Sequence, residues 1–254
     1  MKIIGVLSLS LLYGSVLYSQ QTDWWKQRRI NPLCYISVPV QHNFEFNIPA
    51  NNGFKWTMNL MPIIPVSLGK KLEITTRIVL PVISQVNVFG TTSQTGLGDL
   101  LINTFLTPEL GRVVWGIGPS FYFPTGTNEM LSAKKWATGP GVIAAWQGQK
   151  LMAAGLLFHL WSFAGSETRA DFSYSYFQPL FVYTIKNGWG VGLTSEIGLE
   201  WQKRITNGSV IFTGQKVVKI GKQVFNFVLG PKLYFGNYNS PGWGFRATIN
   251  LLFP

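Results

Sequence analysis

The chain has 254 residues and a formal net charge of +11, yet charged residues make up only 12% of it and aromatics 15%. That length suits one large domain, and no break in composition asks for a second. Beyond residue 20 no stretch has the roughly eighteen unbroken apolar residues of a membrane helix. A helical membrane protein is therefore excluded, and for so apolar a chain a barrel is the remaining way across a bilayer.

Residues 1–19 carry Lys2, an apolar run from Ile3 to about Val16, then Leu17, Tyr18 and Ser19. This is the pattern of a secretory signal peptide, too short for an anchor. Residues 20–34 hold Trp24, Trp25, Lys26, Arg28 and Arg29 and read as a polar periplasmic lead, with folding back as a plug left open. Cys34 has no second cysteine to pair with and reads as a bland wall residue.

From 35 to 254 twelve strand-like segments follow, at about 35–49, 53–67, 72–84, 96–107, 112–124, 135–147, 150–162, 171–185, 189–202, 208–219, 223–235 and 242–253. Each exceeds the roughly 9 to 11 residues that a tilted strand needs to span a membrane. After the first turn the connections alternate long and short. Short periplasmic turns opposite longer outside loops are the asymmetry of outer-membrane barrels, and a soluble sandwich has no reason for it. The expected fold is all-β: a closed antiparallel transmembrane β-barrel of about 12 strands.

The last segment sets the phase. Trp243, Phe245, Ala247, Ile249, Leu251 and Phe253 alternate with Gly244, Arg246, Thr248 and Asn250, giving one oily and one wet face. Lipid takes the first face and a lumen the second. The same alternation puts Asn226, Lys232 and Tyr234 inside, and likewise Glu196 and Glu200, Arg112 and Tyr122, Asp99 and Phe105, and Glu73 and Arg77. In the segment 150–162, Leu156, Phe158 and Leu160 are assigned outward, which places His159 inside beside Trp161. The segments 171–185 and 208–219 do not phase cleanly, and Lys216 is the awkward residue of the second.

The expected solute path is thus Arg77, Asp99, Phe105, Arg112, Tyr122, Lys135, His159, Trp161, Glu196, Lys232 and Arg246. Its charges either pair and fill the bore or flank a narrow way through, and both signs occur too evenly to predict selectivity. No cofactor or metal is expected: Gly96-Leu97-Gly98 lacks the third glycine of a dinucleotide loop, and two histidines with one cysteine build no ordinary metal cluster. Many of the basic residues fall at or beside turns, as Lys70, Lys71, Lys134, Lys135, Lys150, Lys203, Arg204, Lys219 and Lys222 do, where they meet anionic lipid rather than nucleic acid. No enzyme activity is expected. A lipid hydrolase would need a Ser and His pair on the lipid face, and an inward His159 argues against one.

Several runs in order carry a resemblance: 93–101 (SQTGLGDLL), 115–119 (WGIGP), 123–125 (FPT), Lys135-Trp136 with Gly139-Pro140, 159–165 (HLWSFAG), 178–181 (QPLF) and 242–246 (GWGFR). Over nearly the whole mature chain they resemble the bacterial outer-membrane barrel family assigned to transport in the phenol meta-cleavage (MetA) degradation pathway. The resemblance implies a Gram-negative outer-membrane channel for small, partly aromatic solutes. Phe253, although followed by Pro254, looks like the C-terminal aromatic signal read by the barrel assembly machinery. The expected function is a passive channel. The alternative is a closed structural or adhesive barrel that binds partners through its outer loops.

Overall fold

The computed structural model describes residues 36–49, 51–69, 72–108 and 113–253. The signal-peptide and lead assignments, Cys34 and Arg112 lie outside them. Fourteen strands form the wall: β1 (Ile36–Ile48), β2 (Gly53–Leu60), β3 (Ile63–Ser67), β4 (Leu72–Val86), β5 (Ser93–Leu97), β6 (Leu100–Pro108), β7 (Val113–Phe123), β8 (Lys135–Gln147), β9 (Leu151–Gly165), β10 (Ser173–Thr184), β11 (Trp189–Glu200), β12 (Ile205–Ile220), β13 (Gln223–Gly236) and β14 (Trp243–Phe253). Two pairs are single staves, each broken once. β2 and β3 both pair with β4 on either side of Met61-Pro62, and β5 and β6 do so on either side of Gly98-Asp99. Proline explains the first break, since it has no N–H to give the ladder.

Twelve staves therefore close into one antiparallel barrel, sealed by β14 against β1 in a register running from Ile36↔Phe253 to Phe46↔Trp243. Closure leaves no free edge. The connections at one end have two to four residues and those at the other four to eleven. The short-turn end is periplasmic and the long-loop end faces outward.

Exposure alternates along almost every stave. In β14, Trp243, Ile249 and Phe253 face out while Arg246, Thr248 and Asn250 are buried; in β13, Phe227, Leu229, Leu233 and Phe235 face out over buried Asn226 and Lys232. Strand β9 overturns the assigned phase. Leu156, Phe158 and Leu160 are fully buried in the bore, whereas Leu157 and Trp161 are exposed and His159 sits between them on the outer wall. The two unphased strands also resolve. Inside β10 stand Tyr174, Tyr176, Gln178, Leu180 and Val182. In β12, Lys216 faces out near the periplasmic rim, where its Nζ donates to Asn187 O at 2.6 Å and lies 4.7 Å from the Trp189 ring centre. A long stem that carries its charge to the interface makes this position tolerable in lipid.

The lumen is two-sided. Staves β11 to β14 with β1 and β2 line it with Thr194, Glu196, Ser209, Gln215, Asn226, Lys232, Arg246, Asn250, Gln41, Asn43 and Asn59. Staves β7 to β10 line it mainly with Val114, Ile143, Met152, Leu156, Phe158, Leu180 and Val182. These last pack in one cluster with Leu101 and Phe105 from the adjoining β6 and with Met61, Ile63 and Val79 from the staves beyond it.

Candidate functional site

Glu196 on β11 is the hub of the polar side. Lys232 Nζ on β13 approaches its Oε2 at 3.0 Å, and Arg246 Nη2 on β14 bridges Oε1 at 2.8 Å and Oε2 at 3.0 Å. Gln178 Nε2 and Ser209 Oγ each add a bond of 3.3 Å. Arg246 is steered in turn, its Nε donating to Asn43 Oδ1 at 2.8 Å. All three charged groups are 4% exposed or less. A fully desolvated carboxylate is tolerable only with this density of cationic and hydrogen-bond partners. Period-two alternation delivers them: each is an inward residue on its own stave, and the bonds to Glu196 join side chains that sequence separates by up to fifty positions.

From the far wall comes Arg77 on β4, whose Nη1 donates to Asn103 Oδ1 at 2.9 Å and Nη2 to Met61 Sδ at 3.8 Å. Asn103 Nδ2 continues to Ser120 Oγ at 2.7 Å. Arg77 lies within electrostatic reach of Glu196 and Tyr176 across the bore. Phe105 is buried beside it, and its ring depends on a missing side chain: a Cβ on Gly141 would sit 3.1 Å from that ring and 2.9 Å from Ser120 Oγ.

Asp99 and Tyr122 are joined at the β5/β6 break, where the Tyr122 hydroxyl donates to Asp99 Oδ2 at 2.9 Å. Asp99 also accepts the backbone N–H groups of Gly126 at 2.9 Å and Ala133 at 2.6 Å. It therefore ties the loop 124–134 inward, and that loop buries Leu131, Ser132 and Ala133. At the outer end of β8, Lys135 Nζ pairs with Asp171 Oδ1 at 2.8 Å, and Ser162 Oγ donates to the same oxygen at 3.2 Å. The hydrogen bond from Lys135 holds the Asp171 carboxyl below its ordinary pKa, helped by Ser162.

Of the expected path residues, the structure thus brings Arg77, Glu196, Lys232 and Arg246 together at one level, with Phe105 beside them. Asp99, Tyr122 and Lys135 stand nearer the outer rim as loop anchors. His159 and Trp161 are not in the bore.

Above the Glu196 level a cavity of about 630 Å³ lies among the outer loops. Phe89, Phe172, Tyr174, Tyr234 and Tyr238 supply aromatic wall, and Glu45, Lys55, Arg169, Glu200 and Lys203 supply charge. Glu45 is held by Lys55 at 3.7 Å and by the Tyr234 hydroxyl at 3.0 Å. Lys232 Nζ, 5.0 Å from the Tyr234 ring centre, links this vestibule to the charge cluster beneath. The vestibule residues Phe89, Arg169 and Tyr238 escaped the sequence reading because they belong to loops, where no periodicity marks direction, and Phe172 because the segment 171–185 did not phase.

No protein-family model matches the chain, and no curated protein matches it. Among solved structures, an outer-membrane channel from Pseudomonas putida aligns with a TM-score of 0.70 at 14% identity, over 88% of this chain and 97% of that one. The NanC porin aligns at 0.48 and 10% identity, covering 86% of this chain and 99% of that one. An anion-selective porin from Comamonas acidovorans aligns at 0.43 and 8% identity, with 86% and 98% covered. At such identities the first of these likenesses is one of fold: this chain has the closed barrel of an outer-membrane protein.

Proposed function

We propose that the protein is a passive outer-membrane channel that takes a small solute from outside into the vestibule and passes it through the bore past Glu196. The observation that carries this reading is the aromatic and charged cavity of about 630 Å³ at the outer rim, directly above a buried charge cluster. Pockets of that size suit small molecules held by apolar walls and a few placed polar groups. Rings from Phe89, Phe172, Tyr174 and Tyr234 favour solutes with an aromatic or hydrophobic flank. Compounds of the phenol type agree with this, and the sequence resemblance to the phenol-pathway barrels supports the same class.

Planar-bilayer recordings of the folded full chain test it, together with liposome swelling in sugars, organic acids and aromatics. Conductance that is small in the native protein and rises in Glu196→Gln is the expected result. A folded barrel that conducts in neither form is a closed structural one, a reading that the paired charges and cross-bore packing at this level also favour.

A further inference from the structure

The outer wall carries a polar cluster that the channel does not use. Three adjacent staves bring it together on their outward positions. Pairing Ser173↔Trp161 and Ser175↔His159 between β10 and β9, with Ser175↔Leu199 between β10 and β11, stacks two rows near the outer end. Trp201, just past β11, completes the upper row, its backbone N–H bonded to Ser173 O at 2.8 Å. Ser173 thus lies between two exposed indoles, Trp161 and Trp201. Tryptophans on a barrel's outer face mark the interface, where lipid carbonyls and headgroups begin.

The hydrogen bonds form one chain. Trp201 Nε1 donates to Ser175 Oγ at 2.8 Å, Ser175 Oγ meets His159 Nδ1 at 2.7 Å, and His159 Nε2 meets Ser173 Oγ at 3.1 Å. A neutral imidazole offers one hydrogen, each hydroxyl one and the indole one. Three contacts consume three of those four hydrogens. In either histidine tautomer one serine hydroxyl hydrogen is left over, at Ser173 or at Ser175, so the cluster seeks an acceptor. At this depth the abundant acceptor is the ester carbonyl of a lipid.

We propose that Ser173, Ser175 and His159, flanked by Trp161 and Trp201, form a binding site on the barrel exterior for the ester carbonyl of an outer-leaflet acyl lipid. The turn that follows Trp201 carries exposed Arg204, which favours a lipid with an anionic headgroup. A Ser–His contact on the lipid face also raises hydrolysis. Against it, no carboxylate hydrogen-bonds the ring among the described residues, and the amides around it are taken, that of Ser173 by Glu200 Oε1 at 3.4 Å and its strand neighbours by the ladder, so they cannot hold an oxyanion.

Native mass spectrometry of the folded full chain in detergent, titrated with dioleoylphosphatidylglycerol and with its dialkyl-ether analogue, tests the site. One lipid held about tenfold more tightly by the native protein than by Ser173→Ala/Ser175→Ala is expected, the scale of one well-made hydrogen bond to a desolvated group. The ether analogue, which lacks the carbonyl, loses the same factor on the native protein. Trp201→Phe, which keeps a ring but removes the donor that starts the chain, gives a smaller loss. Heat-modifiable gel migration shows that each variant has folded, which outward substitutions on a lipid face permit. Equal affinity for ester and ether lipids, or equal retention by native and variant barrels, overturns the proposal. Release of lysolipid and fatty acid by the native protein alone overturns it too, in favour of a hydrolase.

Discussion

Replacing Glu196 with glutamine leaves the buried cations Lys232 and Arg246 without their shared counter-charge. Removing one partner of a desolvated ion pair costs about 3–5 kcal/mol, so the variant should unfold at clearly lower denaturant than the native barrel, read by tryptophan fluorescence. Asp171 gives a different kind of test, at the rim. Its folded pKa is lowered by the Lys135 hydrogen bond, so its contribution is present above the unfolded value near ~3.9 and is lost as pH falls through the folded value. Limited proteolysis of the loop 166–172 should therefore quicken below about pH 4, and Asp171→Asn should show the fast rate at neutral pH already. At this scale the sequence was informative where a lone charge interrupts an oily alternation. Glu196 between Ser195 and Ile197, and Lys232 between Pro231 and Leu233, could only point inward. Which cation would meet which anion was not legible, because the pairs join staves whose mutual height depends on the stagger of the whole barrel.

The loop 124–134 is held by a single carboxylate. Asp99→Ala strands the N–H groups of Gly126 and Ala133 and the Tyr122 hydroxyl, each costing about 1–3 kcal/mol if left dry. The loop should then swing out and be cut by protease while the strands stay intact. On the opposite face, Leu229 is exposed in the middle of β13, so Leu229→Lys should destabilise the folded state in bilayers by about 2 kcal/mol or more. Strands β11, β13 and β14 were readable since one face is oily and the other wet. Strand β9 was misread because both of its faces are oily: Leu156, Phe158 and Leu160 inside are as apolar as Leu157, Trp161 and Phe163 outside. A usable signal existed one strand earlier. Trp136 and Trp146 mark the even positions of β8 as outward, and the tight turn at 148–150 pairs Trp146 with Ala153, which makes the odd positions of β9 outward.

Across the whole molecule, charge and packing meet at one height. Lys232 and Arg246 flank one carboxylate there, with Arg77 on the facing wall, so a conducting barrel should favour anions, and its reversal potential in a salt gradient should move further that way in Glu196→Gln. Counting lumen charges along the sequence gave near balance. The structure separates them by level, with Asp99, Lys135 and Glu73 away from the cluster, and level is a property of assembly rather than of any segment. The twelve staves, their closure and the alternation of turn lengths were legible in advance. Filling of the bore was not, because width at this strand number allows either outcome.

The unlike flanks of the bore, amide and guanidinium on one side and Leu, Phe and Val on the other, amount to a sorting rule based on orientation. A passenger that is oily all round meets Arg246 and Asn43, and one that is hydrated all round meets Leu156 and Phe158. Only a two-sided passenger, turned with its ring toward β9 and its polar edge toward β14, satisfies both at once. In the proposed channel such a corridor would discriminate by how polarity is arranged on a molecule, and two isomers of equal size and equal charge should travel through it at different rates.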